Sequence, residues 1–189
     1  MKIKSIVHHL FRILKRKYYV SKYRLKHVHS TCYLGGKSKI SYDLHADAYS
    51  YIGPGCIIYP NVHIGAYSMI ANNVSIIGDD HLYKKSGIPI IFSGRETIKK
   101  TIIGKDCWIG AHSIIMTGVR IGDGTIVAAG SVVTKDIPEF CIYGGVPARK
   151  IKNRFESSEE TEKHRKFLNI PVEKIDKSII NYTSCLRSE

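Results

Sequence analysis

His81 stands in the run Gly78-Asp79-Asp80-His81-Leu82-Tyr83-Lys84-Lys85-Ser86-Gly87-Ile88-Pro89, an imidazole directly preceded by two carboxylates. An imidazole titrates near neutrality and can take a proton from a hydroxyl as that oxygen attacks. Taken alone, a loop histidine is more often a solvated side chain, so residue type does not decide its role. A second chemistry is also open. His45, His63 and His81 recur at one constant interval, and histidine is the commonest metal ligand. Which chemistry applies depends on the elements that carry these side chains.

Those elements follow from a six-residue period over residues 34–138. Aliphatic residues recur at Leu34, Ile40, Ile52, Ile58, Ile64, Ile70 and Ile76, with Ala46 as the weak member. The ladder resumes at Ile103, Ile109, Ile115, Ile121, Val127 and Val133. Four residues after most of these comes a small or β-branched residue, such as Ser38, Ser50, Cys56, Ser68, Cys107, Ser113 and Ser131. Gly directly follows the aliphatic at Gly53, Gly65, Gly104, Gly110 and Gly122, where a tight corner is expected to need its backbone freedom. A period of six fits neither an α-helix nor an ordinary strand, and it predicts a parallel β-helix. Three hexads make one coil, stacked on the next at roughly 4.8 Å, and no coil buries its apolar face without a neighbour. The interval between His45, His63 and His81 is one such coil. Between Ile76 and Ile103 the ladder lapses, over about residues 78–101, so the scaffold extrudes one long loop. Loops of that length in compact domains are often functional.

The flanks differ in character. Residues 1–42 contain no Asp or Glu but eleven Lys and Arg, within a chain of net charge +13. Ile3, Ile6, Val7, Leu10, Phe11 and Leu14 recur at helical spacing, which predicts a basic amphipathic helix over roughly residues 2–20. Two uses fit it: contact with an anionic membrane or ligand, or packing of its apolar face on the end of the β-helix. No nucleic-acid module is recognisable. Residues 143–150 read as a turn leaving the last coil. Ser157-Ser158-Glu159-Glu160 opens a helix reaching about Leu168, and a further short helix fits within 170–189. Cys56 and Cys107 fall in small-residue slots, and the five cysteines show no CxxC spacing, so buried thiols in a reducing compartment are expected. No apolar run reaches the length of a membrane span, and the N-terminus lacks the features of a signal peptide. The chain thus divides into a basic amphipathic segment (1–30), the β-helix (31–155) and a helical tail (156–189).

The runs Asn73-Val74-Ser75-Ile76-Ile77-Gly78-Asp79-Asp80-His81, Ile103-Gly104-Lys105-Asp106-Cys107-Trp108-Ile109-Gly110-Ala111 and Val127-Ala128-Ala129-Gly130-Ser131-Val132-Val133-Thr134-Lys135-Asp136-Ile137-Pro138, with Gly145-Val146-Pro147-Ala148, resemble the hexapeptide-repeat acyltransferases. The similarity covers about residues 30–155 and is greatest to O-acetyltransferases of bacterial surface-polysaccharide clusters. It implies a mainly β chain, a left-handed parallel β-helix with N- and C-terminal helices and one extruded loop. It implies transfer of an acetyl group from acetyl-CoA to a sugar hydroxyl of a glycan or its precursor, with His81 as general base. It also implies that Ala111 and Ala129 flank the pantetheine arm at a narrow corner. Thr134 and Lys135 would lie beside the adenosine end, and Arg149 and Lys152 near the phosphates. Trp108 fits a packed ring at a subunit boundary, since the family works as homotrimers with the site between neighbouring β-helices. Asp79 and Asp80 are candidates to orient His81. The acceptor-binding Asn and Asp of galactoside acetyltransferases fall near Tyr51 and Tyr59 here, so their sugar preference does not transfer.

Cytoplasmic residence, with peripheral contact to the inner membrane surface through residues 1–26, completes this reading. Sugar N-acetylation is the enzymatic alternative, and a non-catalytic β-helix binding protein is another, although that would be expected to lack the loop histidine. Carbonic anhydrases exist on this fold with three histidines, but they share a His-x4-His pair that this chain does not have. His81, on the outgoing loop, is expected to leave the coil-to-coil stack, and no metal is expected.

Overall fold

The structure, a computed structural model, describes residues 2–78 and 81–175, with side chains from residue 10 onward. Asp79, Asp80, Cys185 and the chain beyond residue 175 lie outside the described residues. Successive hexads turn through three faces, so most strands have two or three residues and pair in parallel one coil away. The first face carries His27–Val28, His45–Ala46, Val62–Ile64, Thr101–Ile103 and Arg120–Ile121. The second carries Tyr33–Leu34, Tyr51–Ile52, Met69–Ile70, Trp108–Ile109, Ile126–Val127 and Cys141–Gly144. The third carries Lys39–Ile40, Ile57–Ile58, Ser75–Ile77, Ile114–Met116 and Val132–Val133. Tyr51 lies opposite Tyr33 and Met69 opposite Tyr51, the register that three hexads per coil require. Across the interruption Met69 lies opposite Trp108, so the loop leaves the coil and returns without shifting the inward row.

The aliphatic ladder is the core. Ile52, Ile64, Ile70, Ile76, Ile103, Ile109, Ile115 and Ile121 are fully buried, and Ser50, Ser68, Ser113, Thr125 and Ser131 fill the narrow interior beside them. Their hydroxyls are satisfied within the wall, as where Ser68 Oγ donates to the Gly104 carbonyl at 2.6 Å and accepts from the Cys107 N–H at 2.9 Å. Burial pushes the Cys107 thiol up to about 12, so it stays protonated and inert. Cys32, Cys56 and Cys141 are also buried free thiols.

The glycines after the aliphatics act differently from the expected corner role. A β-carbon on Gly110 would lie 2.4 Å from the Ala129 nitrogen, and one on Gly122 would lie 2.4 Å from the Glu139 nitrogen. These residues let one backbone pass close to the next. A positive-φ corner falls three residues after most of the aliphatics, where Gly55, Gly118, Gly124 and Gly130 alternate with Asn61, Tyr67, Asn73, Asp106 and His112.

The ends close the solenoid. Helix α1 (Lys2–Lys22) leads into the first strand at His27, and its Tyr19 and Val20, with Tyr23 just beyond, pack against the core. Of the apolar face predicted from spacing, Leu10, Phe11 and Leu14 are exposed, and the side chains of Ile3, Ile6 and Val7 lie outside those described. Past Pro138 the chain adds one more strand, Cys141–Gly144, before a hairpin brings Arg149–Asn153 back antiparallel to it, so the turn at 145–148 follows a further strand of the solenoid. Helix α2 (Ser158–Leu168) starts at a capping box between Ser157 and Glu160. Asp106 anchors it, accepting from Arg154 Nη1 at 2.7 Å and from His164 Nε2 at 2.8 Å. Val172–Lys174 forms a single further turn of 3-10 helix.

His81 stands outside the histidine stack, and the row extends the other way by one coil to His27. His27, His45 and His63 lie opposite one another, with ring centroids 4.3 and 5.8 Å apart. Ile102, not His81, continues the row. Desolvation, then the neighbouring His27 and His63 and the cation of Lys100, hold the His45 imidazole below its ordinary 6.5. As pH falls through 6.5, the unfolded chain therefore takes this proton before the folded one, and stability declines. His45→Gln should flatten that decline in urea titrations from mildly alkaline to mildly acidic pH. Gly110→Ala should cost about 1–3 kcal/mol through overpacking, and Gly110→Asn at least as much. Gly130, at φ +69 with nothing within 4 Å of its missing β-carbon, should instead accept Asn with little loss. Denaturant midpoints test both.

Candidate active site

The loop departs where the third-face strand Ser75–Ile77 ends. Gly78 has φ +137, and a β-carbon there would lie 2.9 Å from Met116 Cε and 3.0 Å from Thr117 Oγ1. The chain returns at the buried Thr101, whose N–H donates to the Asn61 carbonyl at 2.9 Å. Thr101 Oγ1 accepts from the Gly118 N–H at 3.0 Å, and Asn61 Nδ2 donates to the Ile98 carbonyl at 3.2 Å. Both ends of the loop are thus fastened at the corner between the third and first faces. Thr117 Oγ1, at the neck, is buried and has no hydrogen-bond partner among the described residues.

Within the loop, Ser93 is the knot. It is buried; its hydroxyl bonds to the Leu82 and Ile90 carbonyls, and its own carbonyl accepts from Lys85 Nζ at 2.9 Å. The Leu82 N–H donates to the Gly94 carbonyl at 3.0 Å. His81 sits between the packed neck at Gly78 and this clasp, so two anchors restrain its backbone while its side chain is exposed. Beyond the clasp, Ile88, Ile90, Ile91 and Phe92 form an exposed apolar tip, Phe92 being 76% exposed. In the sequence the run Ile88-Pro89-Ile90-Ile91-Phe92 marks this tip, although it carries no polar chemistry.

The other candidate residues fall at the two corners of the third face and on the hairpin strand that extends the second. Ala111 and Ala129 stack in successive coils at the corner between the second and third faces, where the Gly130 N–H donates to the Ala111 carbonyl at 2.8 Å. The turn at 145–148 continues this edge downward: the Val132 N–H donates to the Gly145 carbonyl at 3.0 Å, and the Ala148 N–H to the Val132 carbonyl at 2.8 Å. Arg149 begins the hairpin strand immediately after, with Lys152 farther along it opposite Ile142, and both are exposed. Thr134 and Lys135 follow Val132–Val133 at the opposite corner, below the loop neck, and are also exposed. Ser75, Ile114 and Val132 lie opposite one another in consecutive coils. The His81 neck therefore stands two coils, about 10 Å, above the level of Thr134. Within one chain, the alanine corner and the loop neck occupy opposite edges of one face.

Among the described residues, no group of three or more His, Cys, Asp or Glu side chains could hold a metal ion. On the second face, Met69 and Trp108 form adjacent exposed apolar rungs, Trp108 being 51% exposed.

The bacterial transferase hexapeptide family (six repeats) matches residues 48–78 and 100–135, the coils on either side of the loop. A probable macrolide acetyltransferase of Lysinibacillus sphaericus is 38% identical over 136 residues, covering 64% of this chain and 72% of that protein. The solved structure of a maltose O-acetyltransferase from Clostridium difficile 630 superimposes with a TM-score of 0.56 at 32% identity, over 65% of this chain and 67% of the other. A chloramphenicol acetyltransferase of Morganella morganii is 46% identical over 77 residues, 40% of this chain and 36% of that protein. The chain spans about a third of the length of the chloramphenicol acetyltransferases it matches. With its register, its single interruption and these likenesses together, the chain belongs to the hexapeptide-repeat bacterial transferases.

The clasp makes the loop testable apart from any reaction. Ser93→Ala should raise tryptic cleavage after Lys84 and Lys85 about tenfold, as expected when a buried hydrogen-bonded hydroxyl is lost. The thermal midpoint of the coil should not change.

Proposed function

We propose that this protein is an acetyl-CoA-dependent O-acetyltransferase that acetylates a sugar hydroxyl of a glycan or its lipid-linked precursor. The observation that carries the reading is the single break in the solenoid, where a clasped loop presents His81 above a face edged by the two alanines. Likeness to a maltose O-acetyltransferase over two thirds of that enzyme supports a sugar as acceptor.

The residues present fit the cosubstrate. At Ala111 and Ala129 no side chain extends past Cβ, and the absent Gly110 side chain leaves the coils in close contact there, so an extended arm can run against backbone amides. Lys135, Arg149 and Lys152 supply positive charge at the same end of the coil, which suits phosphates. Acetyl-CoA supplies the acetyl group as a thioester. His81 takes the proton of the acceptor hydroxyl while the new carbon–oxygen bond forms, then returns it to the departing sulfur as the carbon–sulfur bond breaks. A proton is carried across and none is consumed. Asp79 and Asp80 precede this imidazole and are the candidates to hold its tautomer.

Because the alanine corner and the loop neck stand on opposite edges of one face, the site is best completed by a neighbouring copy. A homotrimer with closed symmetry provides that, and the exposed Met69–Trp108 rungs offer apolar surface for the boundary. Placement in the cytoplasm at the inner membrane surface suits both the cosubstrate and a lipid-carried acceptor.

Thiol release from acetyl-CoA, followed with a panel of sugars and amino sugars, tests the reading; transfer to amines alone would replace O- with N-acetylation. His81→Ala should lower kcat by roughly 10²–10⁴ while leaving KM for acetyl-CoA nearly unchanged. Full activity of that variant on a genuine acceptor would remove His81 as the base. Arg149→Ala should instead raise KM for acetyl-CoA roughly tenfold.

A further inference from the structure

Helix α1 meets the protein through Tyr19 and Val20 near its end and through two arginines before them. On the inner side the Arg12 guanidinium lies 4.3 Å over the Tyr33 ring, and Arg16 Nη2 donates to the His29 carbonyl at 3.1 Å. Tyr23, just past the helix, accepts at its hydroxyl from the Ser38 N–H at 2.9 Å. On the outer side Leu10, Phe11, Leu14 and Tyr18 follow one another at helical spacing, 54%, 65%, 65% and 58% exposed. An amphipathic helix normally buries its apolar stripe on its own domain. Here the domain takes Tyr19, Val20 and two arginines, and four large apolar side chains are left to another medium.

Charge selects the occupant. Helix α1 carries Lys2, Lys4, Arg12, Lys15, Arg16, Lys17 and Lys22 and no acid, and none occurs before Asp43. Pairing this stripe with that of a second copy would bring two such cationic helices together with no acid on either to offset them. An anionic bilayer reverses the sign: its headgroups attract the lysines while its acyl boundary receives the stripe. No helix among the described residues is long and apolar enough to cross a membrane, so the fitting arrangement is in the plane of the surface. We infer that α1 is an in-plane anchor whose Leu10–Phe11–Leu14–Tyr18 stripe enters the interface of an anionic bilayer and holds the solenoid against it. The inference does not rest on acyl transfer, and its test needs no substrate.

The full chain is sedimented with vesicles of phosphatidylcholine alone and of phosphatidylcholine mixed equally with phosphatidylglycerol, at low and high salt. Binding is expected to the anionic vesicles only and to weaken with salt. The double variant Leu10→Ser/Leu14→Ser should bind at least tenfold more weakly. Lys15→Gln/Lys17→Gln should lose roughly tenfold or more, with a shallower salt dependence. The thermal midpoint should stay unchanged in both, because these side chains leave the coil untouched. Absence of binding at low salt would overturn the inference, as would equal binding to neutral vesicles. A change of solution mass in the leucine variant with vesicle binding intact would also overturn it, and would assign the stripe to a second copy.

Discussion

The close approach of each coil's backbone to the next is the constraint on which everything else depends. Hydrogen bonds between coils hold the three-hexad register, and that register keeps isoleucine over isoleucine down the interior. Where a glycine such as Gly110 or Gly122 would place a β-carbon 2.4 Å from the next backbone, no side chain can be accommodated without separating the coils. This closeness also creates a bare ledge at Ala111 and Ala129. Wall and ledge are consequences of one packing requirement.

The same rigidity makes the interruption informative. The coil resumes its register after expelling so long a loop, with the inward row unshifted. Both ends are fastened at one corner by Thr101, Asn61 and Gly118, and Ser93 gathers the interior of the loop. A histidine on such a loop has its backbone held while its ring meets solvent or a partner. Restraint without burial suits a group that must receive and release a proton.

Helix α1 follows a different logic. Its arginines reach a carbonyl and an aromatic ring on the first coil, and Tyr19 and Val20 pack against the core beside them. Leu10, Phe11, Leu14 and Tyr18 on its other side are left exposed.

Much of this was legible in the sequence because a solenoid is nearly one-dimensional. Each inward residue sees only its neighbours one coil away, so the hexad period reveals the burial of Ile64, Ser68 and Cys107 directly, and an interruption of that period marks the loop. Both helices were visible for a similar reason, from local spacing at Leu10–Leu14 and from the capping box at Ser157. What the sequence alone determined was this local order: the repeat, its break, the helical ends and the candidacy of His81. Only tertiary structure decided which side of α1 meets the coil and that Asp106 holds α2 through Arg154 and His164. Those outcomes depend on contacts between residues whose separation follows no period. They are set by where the chain's elements meet in space, which no repeat in the sequence encodes.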